Sequence, residues 1–469
     1  MITEQLRAAP ENEARRARAE ETPPASLRLL HLLAELPPAA RRPIDLLPRL
    51  RERLGDVYSI DLGSSRFFAL NHPRHAQHVL RDRASIYRKG GALWDSIRTL
   101  LGNGLIVSEG EIWRRQRRMM QPHFHRERLS ALTEEMVGAI QSRLGPFEAA
   151  ADARAPIDLA PEIASIAMGI IVRTMFGSGL DRRDADRVTQ AMGYALDFML
   201  RGALFQHLPR WLPVPGRARY EEAIRTIDRV IYEVIERRKQ ALRAAPGGDL
   251  LAMMLDMVDG ETEQRMTDRE LRDEAVTMFL AGYETSSTTI AWASHFLADR
   301  PEHQAALAKE VDAVLGDRTP TFADLPRLEY ARMVLEETLR LHGPVYWLPR
   351  EALEDDVIDG HVIPRGSTVG VMVYAIHRHP DAWERPEEFD PERFRPARAA
   401  ARPPGAWMPF GVGQRLCIGR DLAMMEGQIL LAMMAQRYTF RPVQGRPTRP
   451  YVGTTLTPKG GVWVTLARR

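Results

Sequence analysis

The stretch Phe410-Gly-Val-Gly-Gln-Arg-Leu-Cys-Ile-Gly419 contains Cys417, the one cysteine among the 469 residues of the chain. A single cysteine cannot form an intramolecular disulfide, and a structural zinc site normally takes two or more thiolates. Three roles remain open: an inert buried thiol, a reactive thiolate, or one soft ligand to a metal. The neighbouring residues favour the ligand. The glycines let backbone amides turn toward the sulfur, Arg415 and Arg420 add positive charge, and Phe410 offers a flat apolar face to a large ring.

The order of these residues resembles the haem-ligand loop of the cytochrome P-450 monooxygenases, Phe-Gly-x-Gly-x-Arg-x-Cys-x-Gly. All the fixed positions are met, and Pro409 precedes them as is common in that family. The resemblance covers about residues 40–469 and includes three further motifs. It implies a mainly α fold with a smaller β-rich region, in one large domain with haem between a long central helix and the Cys417 loop. It also implies haem b as cofactor, with Cys417 as the iron ligand and Phe410 beside the porphyrin.

A long helix is predicted in the second half of the chain. Thr267 is followed at three residues by Glu270, which is a capping box, and the helical pattern continues to Asp299. The helix contains the second motif, Ala281-Gly-Tyr-Glu-Thr-Ser286.

Met278, Ala281, Gly282, Thr285 and Thr289 share one stripe of this helix. A glycine inside a helix costs about 1 kcal/mol relative to alanine, which suggests that a bulky group passes beside Gly282. The resemblance places Ala281 and Gly282 against the haem. It makes Thr285 and Glu284 the catalytic pair that delivers protons to bound dioxygen.

The third motif is Trp113-Arg-Arg-Gln-Arg-Arg118, in which Trp113 and Arg117 stand four residues apart on a helix. An indole N–H and a guanidinium are donors that match carboxylates. By itself such a segment is usually a solvated basic face. The resemblance assigns Trp113 and Arg117 to the haem propionates, together with Arg350 and Arg415, and leaves Arg114 and Arg118 to dock an acidic electron donor.

The fourth motif is Glu337-Thr-Leu-Arg340, whose opposite charges stand three residues apart. In the family its partner is the arginine of Pro391-Glu-Arg-Phe394, here Arg393. The resemblance therefore predicts a buried triad of Glu337, Arg340 and Arg393 that serves folding and haem retention.

Apolar side chains near these motifs are predicted to line a substrate pocket. Residues 88–112 are expected to form an irregular loop, one wall of this pocket, and the alternative for each side chain is ordinary packing. The predicted lining is Leu93, Trp94, Ile97, Met278, Val345, Tyr346, Trp347, Leu348 and Thr455.

The rest of the chain is expected to be helical over most of 126–300, with short strands elsewhere. Residues 1–25 are predicted to form a flexible extension, and residues 26–469 the haem-thiolate monooxygenase domain. A hairpin is predicted over residues 55–72, and a second near the carboxyl end, where the turn at 453–456 and residues 462–466 belong together.

Composition excludes several other classes of protein. Basic and acidic residues nearly balance, 65 against 62, which is not the concentrated charge of a nucleic-acid binder. The first 25 residues lack the apolar core of a signal peptide, and no apolar run of membrane-spanning length is evident. A cytoplasmic monomer without a membrane span is expected. Neither His123-Phe-His125 nor His377-Arg-His379 has a third ligand at metal-site spacing.

The predicted function is insertion of one oxygen atom from dioxygen into a hydrophobic substrate, by hydroxylation or epoxidation, in secondary metabolism. A terpenoid, fatty acyl chain, steroid or polyketide is expected. Electrons would come from a separate ferredoxin or flavodoxin with its reductase. Two alternatives remain: a haem-thiolate enzyme that rearranges peroxides, and a non-catalytic haem-binding sensor or carrier.

Overall fold

Helices make up most of the protein, whose structure is a computed structural model that describes residues 24–28, 42–61, 66–177, 180–205, 214–242 and 249–469. Of residues 92, 126 and 200–205 it describes the backbone alone. The helices are α1 (Leu46–Leu54), α2 (Pro73–Gln77), α3 (Ala92–Leu101), α4 (Gly110–Met120), α5 (Arg126–Ala131), α6 (Thr133–Gln141), α7 (Gly145–Ala153), α8 (Leu159–Ile171), α9 (Arg182–Phe205), α10 (Arg217–Leu242), α11 (Leu250–Asp256), α12 (Asp268–Ala298), α13 (Pro301–Leu315), α14 (Glu329–His342), α15 (Val373–Ile376), α16 (Pro396–Ala400) and α17 (Arg420–Arg437).

Short strands form a smaller part of the fold. They are β1 (Ala25–Arg28), β2 (Val57–Asp61), β3 (Arg66–Leu70), β4 (Tyr87–Arg88), β5 (Pro156–Asp158), β6 (Leu348–Ala352), β7 (Asp356–Ile358), β8 (His361–Ile363), β9 (Thr368–Val371), β10 (Tyr438–Pro442), β11 (Arg449–Val452), β12 (Leu456–Lys459) and β13 (Trp463–Arg468). The predicted mainly α fold with a smaller β-rich region is confirmed.

The chain forms two compact units. The first takes its residues from Met1–Lys89, Trp347–Pro386 and Pro403–Arg415. Its sheet has the strand order β1-β2-β3-β9-β6-β4, with β2 and β3 paired antiparallel as the predicted hairpin. Apolar residues of this sheet and of α2 form the core of the unit.

The second unit takes its residues from Gly90–Tyr346, Glu387–Arg402 and Leu416–Arg469. Its centre is α12, which begins as predicted. Thr267 accepts from the backbone N–H of Glu270, and the Glu270 carboxylate accepts from the N–H of Thr267 at 2.8 Å. α12 is buried over most of its length because α8, α10, α14 and α17 pack around it.

Three sequence predictions about local structure differ from what is observed. Residues 92–101 form a helix where an irregular loop was expected. β13 pairs with β10 and β5, and the turn at 453–455 instead joins β11 to β12. The predicted extension, residues 1–25, lies outside the described residues except at its end, where Ala25 begins a strand parallel to β2.

One segment of the described residues, Leu159–Phe176, is long and apolar enough to cross a membrane, contrary to the expectation that none would be. Its mean hydropathy is 1.5, and 61% of it is buried inside the protein. It packs against α12. A helix buried in the core of a protein is as apolar as a membrane-spanning helix, so it meets the same test of length and hydropathy.

Candidate active site

Cys417 lies in the second unit, just before a helix. Its side chain is exposed, and Gly419 is the N-cap of α17. The N-terminus of a helix stabilises negative charge, and so favours a thiolate over a thiol.

Two arginines add to this positive field. Arg117 on α4 donates from Nη1 to the backbone carbonyl of Leu416 at 2.9 Å. Burial lowers the pKa of Arg117, and the charge of Cys417 opposes that change. The pKa of Arg420 is raised mainly by its hydrogen bond with Asp421, with a smaller contribution from Cys417. Residues on both sides of the sulfur therefore favour its anionic form, the form that binds metals.

The remainder of the motif belongs to the first unit. A side chain at Gly413, where φ is +72°, would lie 2.2 Å from the carbonyl oxygen of Leu80, so this position requires glycine. Phe410 is partly exposed and meets Trp407 edge to face, with ring centroids 6.5 Å apart. Arg350 is buried and donates to the carbonyl of Pro349.

Arg415 is partly buried, also in the first unit. In the second unit, Trp113 is 9% exposed and packs in an apolar cluster with residues of α3, α8 and α9. The structure therefore divides the predicted propionate partners between the two units, with Trp113 and Arg117 in the second.

The middle of α12 is more open than the segments on either side of it. Met278, Ala281, Gly282 and Thr285 are all partly exposed, whereas residues 271–277 and most of 286–298 are buried. The predicted stripe is therefore partly exposed from Met278 to Thr285 and buried at Thr289.

Gly282 has a packing reason of its own that the sequence did not reveal. A Cβ added at Gly282 would lie 2.3 Å from Cδ1 of Ile171, at the end of α8. A larger residue at position 282 would therefore require the end of the Ile171 side chain to shift.

Thr285 and Glu284 have different surroundings. The Thr285 hydroxyl donates to the carbonyl of Ala281, one turn earlier, so its oxygen lone pairs are left to accept a hydrogen bond. Glu284 accepts at Oε1 from the Thr455 hydroxyl, 2.7 Å away. Burial raises the pKa of Glu284, the Thr455 bond opposes this, and the charge of Asp197 raises the pKa further.

The predicted pocket residues are distributed between the two units. Trp347 and Leu348 belong to the first and are partly buried, as are Leu93, Ile97, Met278, Val345 and Tyr346 in the second. Two residues have partners that the prediction did not include. Tyr346 donates its hydroxyl hydrogen to the carbonyl of Gly453 at 2.8 Å, and Thr455 bonds to Glu284. Trp94 is 8% exposed and packs in the same cluster as Trp113.

The structure brings Glu337, Arg340 and Arg393 together in the second unit. Arg340 donates from Nε and Nη2 to the Glu337 carboxylate at 2.6 and 2.7 Å, and both side chains are inaccessible to solvent. Nε of Arg393 lies 3.3 Å from Glu337 Oε1, which also accepts from the backbone N–H of Asp390 at 2.9 Å. The Arg393 contact and the bond from Asp390 tie α14 to the segment after residue 386.

The arginines expected to dock an electron donor pair with acidic residues of the chain itself. Arg114 contacts Glu111, and Arg118 donates to Asp259 at 2.8 Å. Arg114 keeps about half of its side-chain surface exposed, 57%.

Two buried carboxyl groups were missed by the sequence analysis. Burial raises the pKa of Glu426 on α17 to about 8, opposed by a hydrogen bond with Ser286, the residue after Thr285. Burial also raises the pKa of Glu274 on α12 to about 8, opposed by the N–H of Leu105 at 3.1 Å. A single acidic residue within the apolar run 422–435 was the available signal for Glu426.

A histidine cluster in the first unit has the spacing of a metal site, since ligand atoms of Asp56, His72 and His379 lie within 4.8 Å of one another. Backbone N–H groups, however, donate to Nδ1 of His72 at 3.1 Å and to Nδ1 of His379 at 3.2 Å. A neutral histidine that binds metal through one nitrogen carries a hydrogen on the other. Metal at Nε2 would break both bonds, so the cluster is a structural network in which His379 donates to Asp56 at 3.1 Å.

The comparison with known families agrees with this geometry. The sequence model described as Cytochrome P450 matches residues 23–464. The chain belongs to the cytochrome P450 family. A triple mutant of the cytochrome P450DA haem domain has a similar structure, with a TM-score of 0.85 and 25% identity over 96% of this chain and 98% of that chain.

Curated relatives match this chain over nearly their whole length. Cyclooctat-9-en-7-ol 5-monooxygenase of Streptomyces melanosporofaciens is 34% identical over 86% of this P450 and 86% of its own chain. Cyclooctatin synthase of the same organism is 34% identical over 89% and 90%. Pentalenene oxygenase of Streptomyces avermitilis is 31% identical over 89% and 91%. This P450 is a monooxygenase, an oxidoreductase that incorporates oxygen from dioxygen.

The residues present fit the haem-thiolate cofactor of the family. The sulfur is exposed and has positive charge around it, and the apolar residues Phe410, Val412 and Leu416 of its loop are only partly buried. Met278, Ala281, Gly282 and Thr285 of α12 are partly exposed in the same unit as the sulfur. In the second unit, a sulfur that can ionise and this part of α12 are surfaces that a porphyrin would cover.

Proposed function

We propose that this P450 uses haem b, held through Cys417, to hydroxylate or epoxidise a terpenoid. The substrate class is supported by relatives that match this chain over 86–91% of their own length. Their names denote reactions of cyclooctat-9-en-7-ol and pentalenene. The observation that carries the reaction is the exposed Cys417 at the helix N-terminus. When bound through a cysteine thiolate, haem supplies the activation of dioxygen.

The chain's own residues provide proton delivery. Because the Thr285 hydroxyl donates to Ala281, its oxygen can accept a hydrogen bond and hold a water in place. Glu284 holds a proton more tightly than an exposed glutamate because it is buried. A raised pKa brings Glu284 closer to the range in which a group both gives up and regains its proton readily near neutral pH. We assign Thr285 to orienting water and Glu284 to supplying the proton.

The substrate is expected to contact the side chains predicted above, of which Met278 stands on the open stripe of α12. Its unbranched, adaptable side chain suits contact with a large apolar molecule. We propose Arg117, Trp113, Arg350 and Arg415 as partners of the haem carboxylates, since guanidinium and indole N–H groups only donate hydrogen bonds.

Electrons are proposed to come from a separate ferredoxin or flavodoxin with its reductase, in the cytoplasm. Glu284 and Thr285 together support a dioxygen-dependent reaction over a peroxide rearrangement, which does not need proton delivery to dioxygen. Dependence of product formation on reduced pyridine nucleotide, the reductase and the electron carrier tests this assignment. Product formed from a lipid peroxide without them would contradict it.

The substrate class is tested by titrating the haem-loaded protein with cyclic terpenes, terpene alcohols, fatty acids and steroids. A terpene is expected to shift the haem spin state at lower concentration than the other classes. Met278→Ala should weaken that shift, because it removes apolar surface that the substrate would bury. Met253→Ala, at a methionine of α11 outside the predicted lining, is the control. A shift with fatty acids alone would overturn the terpenoid assignment.

A further inference from the structure

A cavity of about 350 Å³ lies within the second unit, beside α12. α8, α9, α12 and the β11–β12 hairpin contribute its walls. Its lining contains two carboxylates, Asp197 and Glu284, and hydroxyl groups that include Ser287, Thr288 and Thr457. The described residues that line it include no Lys, Arg or His. Its ionisable groups are therefore the two carboxyls and the phenol of Tyr283, set among hydroxyl groups and apolar side chains such as Leu196 and Leu280.

The two carboxylates lie at different depths. Asp197 on α9 is exposed, whereas Glu284 on α12 is largely covered. Gly193, one turn before Asp197, also lines the cavity and is exposed, with nothing within 4 Å of where its side chain would be. A water molecule takes up about 30 Å³ in the liquid, so the cavity has room for several between the surface and Glu284.

We infer that this cavity is the route by which protons from bulk water reach Glu284, and that Asp197 admits them and keeps a proton on Glu284. The inference rests on the proton-delivery role proposed above for Glu284. Thr455 occupies Oε1 of Glu284, so Oε2 is the oxygen that gives up and regains the proton. Each proton that leaves Oε2 is replaced by one from cavity water, and that water is replenished past Asp197.

The charges around Glu284 support this assignment. α9 presents Asp197, α12 presents Tyr283, the hairpin turn presents Thr455, and α8 presents only Ala160 and Ala164. Burial is the main cause that raises the pKa of Glu284, and Asp197 raises it further because two like charges repel. Removing the charge of Asp197 should therefore lower the share of Glu284 that is protonated at neutral pH.

The test uses the haem-loaded protein and three variants. Asp197→Asn removes the charge, Asp197→Glu restores it, and Asp186→Asn makes the same change at an exposed residue of α9 outside the cavity lining. The protonated carboxyl of Glu284 is followed against pH by infrared difference spectroscopy, and Glu284→Gln identifies its band. Asp197→Asn is expected to lower the pKa of Glu284 and to cause a several-fold loss of its protonated form at neutral pH. Asp197→Glu and Asp186→Asn should match the unmodified protein.

Turnover experiments provide a second measurement. Asp197→Asn should increase the share of electrons lost to hydrogen peroxide and enlarge the solvent isotope effect, while the substrate-induced spectrum stays unchanged. An unaltered Glu284 pKa and unaltered coupling in Asp197→Asn would overturn the inference. If Glu284→Gln itself leaves coupling intact, the role proposed for Glu284 fails instead. If Glu284→Gln uncouples turnover and Asp197→Asn does not, only the role of Asp197 fails.

Discussion

At the scale of single residues, the hydrogen bond from Thr285 to the carbonyl of Ala281 decides what the threonine can do. Its only hydrogen is engaged within α12, so its oxygen can only accept. Thr289 makes the same kind of bond to the carbonyl of Thr285 at 2.8 Å, but Thr289 is buried where Thr285 is partly exposed. Both threonines make the same local hydrogen bond, but only the Thr285 hydroxyl is accessible to a ligand.

Replacing Thr285 by Ala should divert electrons from product to hydrogen peroxide. Without the hydroxyl, nothing at this position holds the water that passes protons from Glu284. The measurement is product and peroxide formed per reduced pyridine nucleotide consumed. Thr289→Ala removes an equivalent hydroxyl from α12 and should leave the ratio nearly unchanged. Equal coupling in both variants would contradict the role of Thr285.

Glu274 predicts a pH dependence of stability. Its pKa is about 8 in the folded protein and 4.5 ordinarily, so between these values the folded state binds more protons than the unfolded state. The free energy of unfolding should therefore fall as pH rises through this window and then become level. Glu426 contributes in the same direction.

Glu274→Gln removes one of these two contributions but keeps an acceptor for the N–H of Leu105. Denaturant unfolding from about pH 5 to about pH 9 should show the variant gaining stability relative to the unmodified protein as pH rises. Asp268→Asn, at an exposed residue of the same helix, is the control and should show no such drift. A constant difference between Glu274→Gln and the unmodified protein would mean that Glu274 ionises normally.

Motif spacing identified residues but not all of their partners. The stripe containing Gly282 and Thr285 was predicted because residues three and four apart share a helix face. That Ile171 fills the space beside Gly282 depends on how α8 packs against α12, which no local pattern encodes. Thr455, which was predicted to contact substrate, also donates to Glu284, a residue 171 positions away.

At the scale of elements, α14 contains an ion pair with no access to solvent. Glu337 contacts both arginines and also accepts from the backbone N–H of Asp390. Desolvating these charges is costly, so the arrangement is stable only while every partner is present.

Glu337→Ala should destabilise the fold by about 3–5 kcal/mol, because it leaves two arginine charges without their carboxylate. The measurement is the free energy of unfolding together with the haem content of the purified protein. Glu329→Ala, whose ion pair with Arg332 is more exposed on the same helix, should cost less than about 1 kcal/mol. Equal losses in the two variants would contradict a buried structural triad.

The elements that the sequence analysis misjudged have identifiable causes. Gly91 and Gly102 have positive φ and stand at the two ends of α3. The several glycines in this segment suggested an irregular loop, whereas these two begin and end a helix. β13 pairs with β5, about 300 residues earlier, and adjacency along the chain does not predict such a pairing. The capping box of α12 and the β2–β3 hairpin were predicted correctly because both are local in sequence.

At the scale of the whole molecule, the fold class and the family could be predicted because four motifs occur in order along the chain. Membrane topology was harder to predict, since hydropathy alone does not separate a membrane helix from the core segment Leu159–Phe176. What the sequence could not provide was the surroundings of each carboxyl group. The raised pKa values of Glu274, Glu284 and Glu426 come from burial that tertiary packing creates.

Ligation of haem iron by Cys417 is the central claim, and the absorption spectrum of the reduced carbon monoxide complex tests it most directly. The purified, haem-loaded protein should show the thiolate-type band, and Cys417→Ser should lose that band while its circular dichroism stays native. A thiolate-type spectrum that survives in Cys417→Ser, or a haem-loaded parent protein without one, would contradict the account.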